Sequence, residues 1–156
     1  MSRWMLALLL SAAALVARAE VGDTVRWADV PLYDGRTLPA SALAGKTVVV
    51  EFWATWCPFC KKQNPYLQKL YAQHGKDLVV LTFSIDKTSE PVLDYMKKGG
   101  YSFPVAMAGE LSQRLFPKRK GLPVMYVVDR QGRIVFHEAG EMFEEDILGL
   151  ARFAAK

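Results

Sequence analysis

The chain has 156 residues, 51% of them hydrophobic and 23% charged, with a formal net charge of +4. That length suits one domain, and the composition can bury a core, which excludes a disordered chain. Arg3 and Arg18 fall in the first nineteen residues; the remainder carries 18 basic against 16 acidic residues, a net +2 with no concentrated basic stripe, so nucleic acid is excluded as a partner.

Residues 1–19 read as a signal peptide. Arg3 supplies a short positive region, Trp4 to Val16 an apolar run, and Ala17-Arg18-Ala19 an A-x-A cleavage site before Glu20. The run is shorter than the ~20 residues of a membrane-spanning helix, so cleavage is expected, with an uncleaved anchor as the rival. The mature unit is then one domain over residues 20–156, periplasmic or secreted, and membrane-anchored if the segment stays. In that compartment disulfides are permitted.

The mature segment opens with Val21 to Val30 and Pro31 to Leu38, where Asp34-Gly35 between apolar stretches signals an N-terminal β-hairpin. Ser41 to Gly45 reads as a helical turn. Thr47 to Trp53 is a continuous β-branched and aromatic run, the pattern of a strand buried on both faces. A helix follows from about Cys57 to His74, with Phe59, Gln63, Leu67, Leu70, Tyr71 and His74 at helical spacings and Gly75 as its stop. Leu78 to Asp86 is a second buried strand, Glu90 to Lys98 a helix closed by Gly99-Gly100, Phe103 to Ala108 a short strand, and Glu110 to Phe116 a further helix. The run Lys118-Arg119-Lys120 reads most simply as a solvated loop, with help in docking a partner as the lesser alternative. Val124 to Val128 and Arg133 to His137 are strands joined by a tight turn over Asp129 to Gly132, and Glu141 to Ala155 closes the chain as an amphipathic helix. Strands alternating with helices and ending in a hairpin and a helix imply an α/β domain, a central mixed β-sheet flanked by helices.

The chain has two cysteines, Cys57 and Cys60, spaced C-x-x-C. Three readings compete. A structural disulfide here closes a very short loop between chain neighbours, where the entropic gain is small. A metal site needs more ligands than the pair supplies, leaving His74 and His137 as the only nitrogen donors, with copper the best candidate. Redox catalysis has the local physics on its side. With Cys57 at the N-cap and Pro58 at the first helical position, the first sulfur sits at the positive end of a helix, and Lys61 and Lys62 add charge; both favour a thiolate. Cys57 is then the nucleophile and Cys60 the resolving thiol.

The segment Glu51-Phe52-Trp53-Ala54-Thr55-Trp56-Cys57-Pro58-Phe59-Cys60 resembles the active-site segment of thioredoxins, and specifically of the exported TlpA/ResA-like thioredoxins. The resemblance extends to Gly121-Leu122-Pro123-Val124-Met125-Tyr126-Val127-Val128-Asp129, to Gly132-Arg133-Ile134-Val135, to the Leu32–Leu38 hairpin, to Tyr101-Ser102-Phe103-Pro104-Val105 and to Gly140. It implies a thioredoxin-like fold and a thiol–disulfide oxidoreductase. Pro123 falls where that family has a cis-proline against the cysteines, and Leu122 before it offers backbone groups to a substrate chain. Only about one X-Pro bond in twenty is cis in folded proteins, so this expectation rests on the resemblance. Glu51 falls where the family often keeps a buried acid behind the resolving cysteine. Flanked by Val48-Val49-Val50 and Phe52-Trp53, it would be poorly solvated, its pKa would rise, and it could accept the Cys60 proton. The alternative for Glu51 is an edge position facing water.

Trp56, Pro58 and Phe59 complete the expected substrate surface, with Trp53 in the core. The sequence departs from the family in one place: proline usually precedes the resolving cysteine, whereas here Pro58 follows the nucleophile and Phe59 precedes Cys60. That dipeptide tunes the potential, so the direction of the reaction is open between reductase and oxidase or isomerase, with reductase favoured because Phe59 offers no charge or donor to a thiolate. The partners expected are exported proteins with disulfides, apocytochrome c among them, and a membrane thiol donor. A monomer is expected, with no cofactor or metal beyond the Cys57–Cys60 disulfide itself.

Overall fold

The computed structural model describes residues 21–117 and 119–154; the segment read as a signal peptide lies outside the described residues. In chain order the elements are β1 (Val30–Pro31), β2 (Thr37–Leu38), α1 (Ala40–Leu43), β3 (Val48–Trp53), α2 (Pro58–His74), β4 (Val79–Ser84), α3 (Glu90–Gly99), β5 (Val105–Met107), α4 (Glu110–Leu115), β6 (Val124–Val128), β7 (Ile134–Ala139) and α5 (Glu144–Gly149), followed by a 3-10 turn over Leu150–Phe153. The main sheet runs β5-β4-β3-β6-β7, with β3, β4 and β5 parallel, β6 antiparallel to β3, and β7 antiparallel to β6. The mixed sheet read from the sequence is present.

Central strand β3 is buried at all six residues, as its unbroken apolar and aromatic run requires. Because side chains alternate along a strand, β3 feeds two cores. Val49 and Trp53 join the cores of α2, α3 and α5 through Leu67, Leu70, Val92, Met96 and Ile147. Val48, Val50 and Phe52 face the other way, toward Leu43, Leu115, Phe116 and Tyr126. In that second core the Phe52 ring stacks on Phe83 at 5.1 Å and meets Phe116 edge-on at 5.7 Å, the offset and T-shaped geometries that aromatic quadrupoles favour.

The N-terminal hairpin forms with the Asp34-Gly35 turn, but its ladder is two residues on each side. Val21 to Val30 does something else with its backbone. Gly22 N–H donates to Ile134 C=O at 2.7 Å and Val25 N–H to Gly132 C=O at 2.7 Å, while Tyr33 N–H donates to Val105 C=O at 2.9 Å. The stretch from Gly22 to Tyr33 therefore crosses the second core, burying Val25 and Val30, and bonds at its start to the β7 side and at its end to β5, the two edges of the sheet. Edges that would otherwise offer unpaired backbone are covered in this way.

Two other expectations are corrected. The closing helix starts at Glu144 and tightens into the 3-10 turn, because Phe143 holds an extended conformation as its N-cap. In the Lys118-Arg119-Lys120 run, where Lys118 lies outside the described residues, Arg119 is not simply solvated: its guanidinium lies over the Phe52 ring, 4.4 Å from its centroid. No helix of the described residues is long and apolar enough to cross a membrane.

Phe52→Ala should cost roughly 3–5 kcal/mol of stability, the usual range for emptying a buried aromatic site. Chemical denaturation of the oxidised protein reads it directly; a loss below ~1 kcal/mol would mean that the aromatic core under β3 is not a packed unit.

Candidate active site

The site forms where β3 ends and α2 begins. After Trp53 the chain turns through Ala54-Thr55-Trp56, and that turn is pinned from below. Thr55 N–H donates to Asp86 Oδ2 at 2.9 Å and its hydroxyl to Asp86 Oδ1 at 2.6 Å, while Ser84 Oγ donates to Oδ2 at 2.6 Å. Cys57 is the N-cap of α2 with Pro58 in the first turn, and its sulfur accepts the Cys60 N–H at 3.1 Å. An N-cap acceptor satisfies one of the helix's unpaired donors, and the same donors and helix dipole would hold a thiolate there. Cys57 and Cys60 are joined in a disulfide, with their Cα atoms 5.3 Å apart.

The two sulfurs differ in access: Cys57 keeps 3% exposure and Cys60 none. Around Cys57 the surface is apolar and open, with Trp56 62% and Phe59 49% exposed, whereas Trp53 is fully buried and donates its indole N–H to Thr82 Oγ1 at 3.0 Å. Lys62 is not a free charge beside the sulfurs. Its ammonium sits 3.8 Å from Glu141 and 5.5 Å from the Phe59 ring centroid. The Leu122-Pro123 peptide is cis, and Pro123 C=O accepts the Gly140 N–H at 2.9 Å. Leu122 packs against the core that contains both cysteines. Among the described residues no partner takes the Leu122 backbone N–H or C=O.

Glu51 is fully buried, which removes the water-facing alternative. It shares its β3 face with Val49 and Trp53, the face that packs under α2. Gln63 Nε2 donates to Glu51 Oε1 at 2.6 Å, and Gln63 Oε1 accepts the Met142 N–H at 2.7 Å. With the Asn64 amide oxygen turned to the Tyr95 hydroxyl, its nitrogen donates to Glu51 Oε2 and to Cys60 C=O, each at 3.2 Å. Burial pushes the Glu51 carboxyl up to about 8, against the opposing pull of the Gln63 hydrogen bond. Glu51 therefore holds its proton at neutral pH.

The network was only partly visible in the sequence. Gln63 falls at a helical spacing with Leu67, but nothing marked it as a carboxylate partner, and Asn64, Tyr95 and Asp86 were missed. The available signal was the pair of amides between Cys60 and Leu67: polar groups on the face of α2 that must be buried have to find partners inside.

Among the described residues no three His, Cys, Asp or Glu side chains cluster as a metal site. His74 lies at the far end of α2, about 24 Å from its first residue at 1.5 Å per residue. His137 stacks on Tyr126, whose side chain belongs to the core on the other face of the sheet from the cysteines.

Residues 20–150 match the Redoxin family. The chain belongs to that family. The redoxin is 29% identical over 119 residues to the thiol-disulfide oxidoreductase ResA of Bacillus thuringiensis, covering 74% of this chain and 68% of that one. A thioredoxin-family thiol:disulfide interchange protein from Chlorobium tepidum superposes with a TM-score of 0.79 at 24% identity, over 90% of this chain and all of the other. The exposed lipoprotein thioredoxin of Streptococcus pneumoniae superposes at 0.67 with 27% identity, over 80% of this chain and 96% of that one. The thioredoxin-like fold and the resemblance to ResA-like proteins read from the sequence are thus borne out, and the redoxin is a thiol–disulfide oxidoreductase.

The Glu51 proton sets a pH dependence of stability whose sign is fixed. Below about pH 4.5 folded and unfolded chains both hold the proton; between there and about 8 only the folded chain does. Stability therefore falls as pH rises through that window, on the order of 1 kcal/mol per unit, and levels above it. Glu51→Gln should remove this slope and gain most over wild type at alkaline pH. Urea unfolding of both oxidised proteins at several pH values checks it, and equal slopes would show that Glu51 does not carry the proton.

Proposed function

We propose that this oxidoreductase works outside the cytoplasm as a reductase of disulfides in exported proteins, apocytochrome c cysteines among the candidate substrates, and is itself re-reduced by a membrane thiol donor. One observation carries the reading: Cys57, at the helix N-terminus, keeps slight exposure beside the exposed Trp56 and Phe59, while Cys60 is sealed in with a carboxyl raised to about 8. The signal-like segment 1–19 and the likeness to an exposed lipoprotein support the compartment.

The steps follow from the positions. In the dithiol form the Cys57 thiolate attacks one sulfur of the substrate disulfide; a mixed disulfide forms and the first substrate thiolate leaves. In the minority of molecules whose Glu51 proton has left to solvent, Cys60 then gives its proton to the Glu51 carboxylate and attacks Cys57 Sγ. The mixed disulfide breaks, the second substrate thiolate leaves, and the substrate has gained the two electrons that Cys57 and Cys60 have lost. A carboxyl at about 8 is a far better acceptor for a thiol proton than a carboxyl at its ordinary value of about 4.5. Trp56 and Phe59 give the substrate an apolar platform, with Pro58 between the sulfurs' backbone positions. The unpartnered Leu122 backbone, set by the Pro123 turn, is placed to pair with an extended substrate strand.

Equilibration of the mature protein against dithiothreitol or glutathione buffers, followed by tryptophan fluorescence, gives the potential of the pair. A value near −270 mV is expected of a reductant, and one near −120 mV would make the protein an oxidant. In parallel, Cys60→Ser should accumulate partners linked through Cys57, while Cys57→Ser should trap none. Trapping by the second variant alone would reverse the two cysteine roles.

A further inference from the structure

Next to the cis-proline turn lies a second groove, of about 590 Å3, lined by Ile85, Gln113, Pro117, Arg119, Gly121 and Leu122. It shares a wall with the redox site. Leu122 packs both on the core that holds Cys57 and Cys60 and on the aromatic core beneath Arg119. Whatever extended chain pairs with the Leu122 backbone therefore runs past this groove.

Among the described residues the charge in the groove has no counter-charge. The Arg119 guanidinium lies over the Phe52 ring and the residue is half-buried, yet among the described residues no carboxylate comes within ion-pair reach of it. The Asp86 carboxylate, at the same end of the sheet, is already held by Thr55 and Ser84. Burial lowers the Arg119 pKa from its usual value, as expected of a cation losing water without gaining an anion, but a guanidinium stays charged at any working pH. The contact with Phe52 holds the guanidinium at the groove that Arg119 lines, and a planar fork of N–H donors suits a carboxylate. Exposed Lys120 adds positive potential at the rim, and the Gln113 side chain is exposed with an amide to donate.

We propose that this groove is a binding subsite for an acidic side chain of the substrate polypeptide, close in sequence to the target cysteine, with Arg119 as the specificity-determining residue. The inference rests on the exchange reaction at Cys57 proposed above and adds to it a preference among substrates. A partly exposed guanidinium–carboxylate pair of good geometry corresponds to roughly fivefold selectivity, lost progressively as salt screens it.

The test is a competition for the Cys60→Ser protein between two peptide disulfides with identical leaving thiols, one carrying Glu and the other Gln at a scanned position one to three residues on either side of the cysteine. At one of these positions the Glu peptide should be trapped roughly fivefold over its Gln counterpart at low salt, falling toward parity at about 0.5 M salt. Adding Arg119→Gln should bring the ratio to about one, and Arg119→Glu should invert it. Circular dichroism and thermal unfolding of each variant verify that it is folded. Equal trapping of both peptides at every position by the Arg119 protein, or a preference that survives Arg119→Gln, would overturn the subsite while leaving the exchange reaction standing. Absence of any trapped peptide would instead overturn the Cys57 reaction, and the subsite with it. Free glutamate at millimolar concentration should leave the ratio unchanged; if it abolishes the preference, the groove is a site for small carboxylates and not for a substrate side chain.

Discussion

Strand β3 is buried on both faces, and the period-two alternation of its side chains decides what chemistry each face of the sheet can carry. Glu51 and Trp53 point under α2, so a carboxyl and the disulfide come to lie in one core. Phe52, one residue along, points the other way and becomes the floor on which Arg119 stacks. A register slip of one residue would exchange these sets and would put the carboxyl among aromatic rings with no amide to receive it. The parallel pairing with β4 and the antiparallel pairing with β6 hold that register from both sides.

The turn from β3 into α2 then separates the two sulfurs by access. The Asp86 carboxylate holds Thr55 through backbone and hydroxyl, fixing the approach of the chain to the helix. Cys57 emerges at the cap and Cys60 goes under the first turn. The helix dipole and the Cys60 N–H act on the outer sulfur, whose residue keeps slight exposure; the inner one has only the low-dielectric core and the Glu51 network. Asymmetry of this kind gives a dithiol its order of events, because a bulky disulfide substrate reaches one sulfur and not the other. Lys62, engaged by Glu141 and Phe59, contributes less to the thiolate than its place in the sequence implies.

Much of this was legible in the sequence, for physical reasons. The run Val48–Trp53 could bury itself only as a central strand, Pro58 is well tolerated in a first turn, and a carboxyl inside that run had to be either functional or at an edge. What escaped were features set by contacts between distant segments. Met142 lies 79 residues from Gln63, yet its N–H completes the amide's hydrogen bonding; no local pattern encodes that. Arg119 sits in a run of basic residues that looks solvated, and only the position of Phe52 beneath it makes the guanidinium a fixed group. The N-terminal stretch reads as one arm of a hairpin because its alternation is local, whereas its hydrogen bonds go to the two edges of a sheet formed later in the chain. The final helix is shorter than its amphipathic pattern, since amphipathicity reports which face is buried and not where an extended N-cap begins.

The Glu51 network also explains why a group so unfavourable to folding can be kept. A lone buried carboxylate would be costly, and the fold lowers that cost in two ways: it keeps the proton on at neutral pH, and it supplies amide donors from Gln63 and Asn64 for the moments when the proton is off. Those donors are weaker than a buried cation would be. An arginine or lysine in their place would satisfy the carboxylate fully, drive its pKa far down and leave it unable to take a proton from a thiol. Neutral amides stabilise the charged form just enough to leave the carboxyl near 8, within reach of a cysteine. The composition of the pocket, two amides and a phenol with no cation, is therefore what a proton acceptor for the inner sulfur requires, and the weakening of the fold toward alkaline pH comes from the same desolvation.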